Sequence, residues 1–423
     1  MKRLWLYLVG LLMLAACSDD VPEIPNTQVK GRAMLAYLVA NNKNGDLDPY
    51  LKYNVVDMYK GMSESKDSLV LLVYYRPKAS DKSLDGPSFL KFVADGKGRI
   101  NGKKPIPASE LKIDNGFSTA SEVASRVFQQ AEITNAGSVN DVATDPEIMV
   151  ANLRKMTQMV SSDSYGLTMG SHGTGWLEAP QTKGRSFGDD AGYSINIPEL
   201  ATVLEKAFES KKLDFVLFDA CMMANAEVAY ELRNATDYVI ASVLETPVYG
   251  FPYARFFNEL YQDEIDFQKI CDEFIAFSHL QDVWGTCSVV DCQQMQALAD
   301  WIKVGLAANA SGLNEDFPEK VVQYGRRTAG FGDFSFDVVD VFRQLTGEEP
   351  VELNNLMTKV VVAKNCIESD GIEFPYVEVD QDRFCGIGMY LPYLIGKNRW
   401  DNYYMSSFAW PQAIGWNYNV PNN

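Results

Sequence analysis

The amino-acid sequence predicts an α/β fold, a mostly parallel sheet covered by helices on both faces, joined to a helix-rich C-terminal half. Three observations predict it. Strand-length apolar runs alternate with amphipathic stretches through the first 250 residues, the rhythm of successive βα units. Those runs are continuously apolar, as strands covered on both faces must be. Beyond that point longer helical stretches take over, with isolated strands between them.

The chain opens on "MKRLWLYLVGLLMLAAC", two cations followed by an apolar stretch and small residues before Cys17, which reads as a signal peptide over residues 1–16. No later stretch offers the roughly 20 uninterrupted apolar residues of a spanning helix. Leu14-Ala15-Ala16-Cys17 has the form of a bacterial lipobox, in which Cys17 is lipidated and becomes the new N-terminus; an ordinary secretory signal is the alternative. Residues 17–29 are polar and proline-containing and read as a tether. Ser18-Asp19-Asp20 resembles the acidic signal that sends lipoproteins of Bacteroides-like bacteria to the outer face of the outer membrane. The expected location is therefore the outer membrane, on its periplasmic or cell-surface face, with a lipid at Cys17 as the membrane contact.

Strands are expected at 33–40, 67–75, 88–95, 165–172, 214–221 and 237–243, and helices at 47–60, 118–132, 146–161, 197–210 and 223–234. Pro146 suits a first helical position, and Asn196 with Pro198 marks another helix start. Between residues 177 and 194 lies a long polar segment, unusual inside a compact α/β unit and expected to be a functional or cleavable loop. After 250, helical stretches are expected at 253–281, 293–309 and 353–366, with strands at "CSVVDC" and "CGIGMYLPY" that extend the sheet. Residues 30–250 and 251–423 are thus read as a main domain and an accessory part.

The chain carries 56 acidic against 38 basic residues, a formal charge of −18, which argues against nucleic acid as a partner. Its seven cysteines form no CxxC pair and no cluster with histidine, so no metal site is expected. Cys271, Cys287, Cys292, Cys366 and Cys385 sit in apolar surroundings and read as buried thiols, with a disulfide among them as the alternative. His279, in "FIAFSHLQ", is expected to be a packing residue.

His172 ends one expected strand ("YGLTMGSH") and Cys221 ends another ("DFVLFDAC"). In an open α/β sheet the carboxyl ends of parallel strands line the ligand crevice. Were the two strands neighbours, imidazole and thiol would meet there, the thiolate as nucleophile and the imidazole as the group that lowers its pKa and protonates a leaving amine. Gly173, lacking a side chain, lets its backbone approach a bound carbonyl, and its N–H with that of Cys221 could hold an oxyanion.

"GSHGTGW" with "DACMMANAEVAYEL" resembles the clostripain family of cysteine peptidases. "AMLAYLVANNKNGDLDPYL", "TDYVIASVLETPVYGFPY", "CGIGMYLP" and "YYMSSFAWPQAIGW" extend the likeness over about residues 32–418. The resemblance implies a caspase-like α/β/α sandwich, Cys221 and His172 as a catalytic dyad, and hydrolysis of protein or peptide substrates. It also implies Asp219 as the acidic residue selecting Arg or Lys before the scissile bond, by carboxylate pairing; a strand-end aspartate capping backbone amides is the alternative. Relatives often carry further acidic residues in the loop after the next strand, whereas "VLETPVYGFPY" is compact and offers only Glu245. Tyr249 and Phe251 are candidates to line the pocket, with core packing as the alternative. Self-cleavage in the polar segment would use Arg185, or Lys183. No cofactor is required; calcium at Asp189 and Asp190 competes with a solvated acidic turn, and "NGDLDPY" reads as a turn entering a helix. Two other functions compete: a catalytically silent peptide-binding lipoprotein and an adhesive scaffold.

Overall fold

The structure is a computed structural model that describes residues 26–114, 116–177, 186–209, 211–324, 334–372, 374, 378–394 and 400–417. Cys17 and the signal peptide lie outside the described residues. In chain order the strands are β1 (Thr27–Val39), β2 (Ser68–Arg76), β3 (Ser88–Asp95), β4 (Glu132–Asn135), β5 (Val160–Gly170), β6 (Phe187–Asp190), β7 (Tyr193–Ile195), β8 (Leu213–Asp219), β9 (Thr236–Ala241), β10 (Thr286–Asp291), β11 (Phe336–Asp337) and β12 (Val361–Cys366). The main helices are α1 (Asp48–Ser63), α2 (Ala120–Phe128), α3 (Pro146–Met159), α4 (Ile197–Phe208), α5 (Ala226–Leu232), α6 (Tyr253–Phe256), α7 (Phe267–Leu280), α8 (Met295–Asn309), α9 (Val338–Thr346) and α10 (Val351–Val360).

Nine strands form one sheet in the order β12-β10-β9-β8-β5-β1-β2-β3-β4. The five from β9 to β2 are mutually parallel. At each edge an antiparallel strand, β3 or β10, is followed by one that restores the common direction. Side chains alternate across a strand, so each central strand feeds two cores. Leu35, Tyr37, Leu167, Met169, Val216 and Phe218 face one core, with α3, α4, α5 and α8. Met34, Ala36, Leu38, Phe215 and Leu217 face the other, with α1, α2 and α7. This is the expected α/β/α sandwich.

Helix starts follow their sequence signals. Asp145 caps α3 by accepting from the N–H groups of Glu147 (2.9 Å) and Ile148 (3.2 Å), with Pro146 next to it; Asn196 and Glu199 form a capping box on α4. Several boundaries differ from the expected ones. β1 starts at Thr27, inside the expected tether, because residues 27–29 pair with residues 160–162 at the start of β5. The expected helix at 353–366 is α10 followed by β12, whose alternately buried and exposed residues pair with β10. "CGIGMYLPY" contributes a two-residue strand, Gly388–Met389, that pairs with β11 and not with the main sheet. The C-terminal half shares the two cores of the first half through α7, α8, β10 and β12.

His279 is exposed in the last turn of α7, contrary to the packing role expected of it; a basic side chain there faces the negative end of the helix dipole. The five scattered cysteines are buried free thiols. Among the described residues no helix is long and apolar enough to cross a membrane.

Candidate active site

β5 and β8 are adjacent and in register from Gly166 opposite Phe215 to Gly170 opposite Asp219. His172 and Cys221 therefore lie two residues beyond paired positions, at the same sheet edge. The chain turns sharply after the cysteine, where Met222 adopts a left-handed φ of 60°, a conformation unfavourable for a residue with a side chain. Surrounding bonds hold it. Met222 N–H donates to Leu244 O (2.9 Å) and Ala224 N–H to Ser242 O (2.9 Å). Asn225 donates from Nδ2 to Met222 O (2.9 Å) and accepts from Val228 N–H (3.2 Å), capping α5. The thiol is thereby set at the apex of a fixed strand-to-helix turn, partly exposed, with Sγ 4.0 Å from Thr246 O.

The histidine loop lies directly against this turn. A Cβ on Gly173 would stand 2.7 Å from Cys221 O and 3.2 Å from Cys221 N, so only glycine allows this approach. A Cβ on Gly175 would meet Met222 O at 2.5 Å. Trp176 locks the loop's far end: its indole is fully buried, donates to Phe334 O (3.1 Å) and packs against the rings of Tyr390 and, edge to face, Tyr404. On the other side, Gly45 of the turn between β1 and α1 faces the imidazole edge, with 3.4 Å from an added Cβ to Cε1 and Nε2.

Part of the long polar segment is not a loop. Residues 187–195 form the β6–β7 hairpin, and Asp189 and Asp190 are buried inside it. Asp189 accepts from the N–H groups of Lys43 (3.3 Å), Asn44 (3.2 Å) and Gly192 (2.7 Å). Asp190 accepts from Asn41 Nδ2 (2.6 Å), Ala143 N–H (2.6 Å) and Arg76 Nε (3.0 Å). These carboxylates are neither a solvated acidic turn nor a calcium pair: protein N–H donors and a guanidinium occupy them. The hairpin joins the histidine loop through Gly188 N–H to His172 O (2.8 Å) and the bridge between Phe187 and Gly173. Lys183 and Arg185 lie outside the described residues.

A cavity of about 340 Å³ opens at the thiol and imidazole, with Asp219 and Asn54 at its buried end. Asp219 sits two residues before Cys221, and its Oδ2 accepts from the Tyr253 hydroxyl (2.9 Å) and Phe251 N–H (3.3 Å). Burial pushes its carboxyl up to about 6, against the opposing pull of those two donors. Glu245 also lines the cavity, its carboxyl raised by burial, while its carbonyl accepts from Trp284 Nε1 (2.8 Å). Phe251 is fully buried in the core and Tyr249 packs on Phe117 and Phe277, so neither lines the pocket. The aromatic walls are Tyr50 and Trp284, which the sequence reading missed, as it missed Asn54. The signal for α1 was present: Leu47, Tyr50, Leu51 and Asn54 recur at helical spacing on one face.

Fold and site together define a caspase-like α/β/α sandwich that brings a thiol and an imidazole to adjoining strand ends above a cavity with an acidic base. A sequence profile of the clostripain family, peptidase family C11, matches residues 36–371; the chain belongs to that family. Clostripain of Hathewaya histolytica is 25% identical over 245 residues, which are 54% of this chain and 41% of that relative, so the match spans less than half the relative's length. Two solved structures share the fold. A secreted C11 cysteine protease of Bacteroides thetaiotaomicron, iotapain, superposes with a TM-score of 0.67 at 21% identity, covering 92% of this chain and 99% of the other. An inactive zymogen C11 protease of Parabacteroides distasonis gives 0.67 at 21% identity, covering 90% and 97%.

Proposed function

We propose that the chain is a cysteine endopeptidase that hydrolyses peptide bonds after Arg or Lys, with Cys221 as nucleophile and His172 as acid/base. The observation that carries this reading is the register of β5 against β8, which sets the two side chains at one sheet edge above Asp219. The Cys221 thiolate attacks the scissile carbonyl carbon, and the negative charge moves onto the carbonyl oxygen beside the backbone N–H groups of Gly173 and Cys221. His172 protonates the amine as the C–N bond breaks, leaving a thioester. It then takes a proton from water, whose oxygen attacks the acyl carbon and regenerates the thiol. A basic side chain before the scissile bond reaches the Asp219 carboxylate. The B. thetaiotaomicron protease has also been solved with an irreversible peptide inhibitor, which supports peptide substrates for this fold.

The reading extends to lipid anchoring at Cys17 in the outer membrane and to activation by self-cleavage near Arg185. The lipobox-like ending supports the anchor, and the long polar segment, with a similar protein described as a zymogen, supports the self-cleavage. The test is hydrolysis of fluorogenic peptides ending in Arg, Lys, Asp or Ala. Cleavage after Arg or Lys that disappears in Cys221→Ala is the expected result; turnover that persists in that variant overturns the assignment.

A further inference from the structure

We propose that this pocket selects Lys over Arg, and that Tyr253 and Asn54 set the preference. The inference rests on the basic-pocket reading above and concerns how the acidic base is wired. Both donors that Asp219 meets fall on the same oxygen: the Tyr253 hydroxyl at 2.9 Å and Phe251 N–H at 3.3 Å converge on Oδ2. Their hydrogens fill that atom's two lone-pair directions, and Oδ1 accepts from neither. A guanidinium is recognised best by both oxygens of one carboxylate in a planar fork. Here that fork has one tine occupied.

The remaining acceptor at the buried end is an amide. Asn54 is buried, lines the cavity and turns its Nδ2 toward Tyr249 O (3.4 Å), which leaves its Oδ1 as the acceptor for a ligand. Gly250 shows how close Asn54 and Asp219 come: an added Cβ there would stand 2.7 Å from Asn54 Nδ2 and 2.6 and 2.7 Å from the Oδ2 and Oδ1 of Asp219. The cavity base thus offers two single acceptors on different side chains, one charged and one neutral. Ammonium donors spread tetrahedrally and do not require a coplanar pair. A Lys side chain satisfies both acceptors; an Arg side chain gives up one arm of its bidentate pair or displaces Tyr253.

The experiment is kcat/KM at pH 8 for matched peptides ending in Lys or Arg, in the wild type, Tyr253→Phe and Asn54→Ala. The wild type is expected to favour Lys by about fivefold or more, the scale of one hydrogen bond. Tyr253→Phe, which frees Oδ2 for a fork, should move the Lys/Arg ratio toward Arg by about fivefold. Asn54→Ala, which removes the neutral acceptor, should lower Lys cleavage about threefold more than Arg cleavage, and it carries the test should Tyr253→Phe fail to fold. A wild type that prefers Arg, or a ratio unmoved by the folded variants, overturns this inference and leaves the basic pocket standing. Cys221-dependent cleavage confined to other residues overturns both.

Discussion

The hairpin pair Asp189–Asp190 and the cavity residue Asp219 are all buried aspartates, yet their surroundings are opposite. Each hairpin carboxylate is met by several N–H donors, and Asp190 by a guanidinium as well. Asp219 has two donors on one oxygen and no ion pair among the described residues. A completed carboxylate acts as a structural tie between distant segments; an incomplete one in a cavity stores an unmet demand for positive charge. In this molecule the first kind sits in the hairpin that bonds to His172 O, and the second lines the cavity at the thiol.

The contrast can be broken at its strongest point. Asp190→Ala leaves the Arg76 guanidinium, buried with it, uncompensated; a loss of about 3–5 kcal/mol of stability is expected, read by urea unfolding, and activity should fall with it as the histidine loop loses its brace. Asp219→Asn should do the reverse, retaining stability while lowering kcat/KM for basic peptides on the order of 100-fold, the scale of a charged hydrogen bond. A variant that unfolds while keeping its turnover would place Asp219 with the hairpin pair.

The pH dependence sharpens the same point. With its folded carboxyl at about 6, Asp219 loses its charge as pH falls through that value, and kcat/KM for basic peptides should fall with it. For stability the sign is opposite: a carboxyl raised above its unfolded value makes its full contribution below the unfolded value and loses it as pH rises toward 6. The stability advantage of Asp219→Asn over the wild type should therefore be largest above pH 6.

Glu227 provides the most discriminating case. It too takes both donors on one oxygen, Tyr390 N–H (2.8 Å) and the Tyr404 hydroxyl (2.7 Å) on Oε1, while its buried Oε2 accepts from none of the described residues. Burial pushes it up to about 7, and the cavity at the thiol is not lined by it. Its contribution to stability is full below about 4.5 and lost as pH rises to 7. Glu227→Gln is expected to gain about 3 kcal/mol on going from pH 4 to above pH 7, relative to the wild type, measured by thermal melts across pH; a gain independent of pH contradicts the ionisation argument.

The central strands were legible because burial on both faces writes a continuous apolar run, and the starts of α3 and α4 because capping is local. β12 was hidden in an expected helix, since a short stretch such as "VVAKNC" carries too few residues to separate periods of 2 and 3.6. The β6–β7 hairpin was hidden more deeply: "GDD" has the composition of a solvated turn, and its burial is made tolerable mainly by partners distant in sequence, Asn41, Lys43 and Arg76 among them more than a hundred residues away. Tyr50 and Trp284 reach the cavity from α1 and from the approach to β10, segments that no local motif ties to the thiol.

By itself the sequence determined the βα rhythm, the two strand-end residues His172 and Cys221, and the placement of Asp219 beside the second. Hydrophobic periodicity and capping act between near neighbours, so they can be read along the chain. The tertiary structure alone decided that β5 and β8 adjoin, that Asp189 and Asp190 point inward, and that one oxygen of Asp219 is already taken. Strand order and the satisfaction of buried polar groups depend on partners brought together by folding, and no single stretch of sequence contains both halves of such a pair.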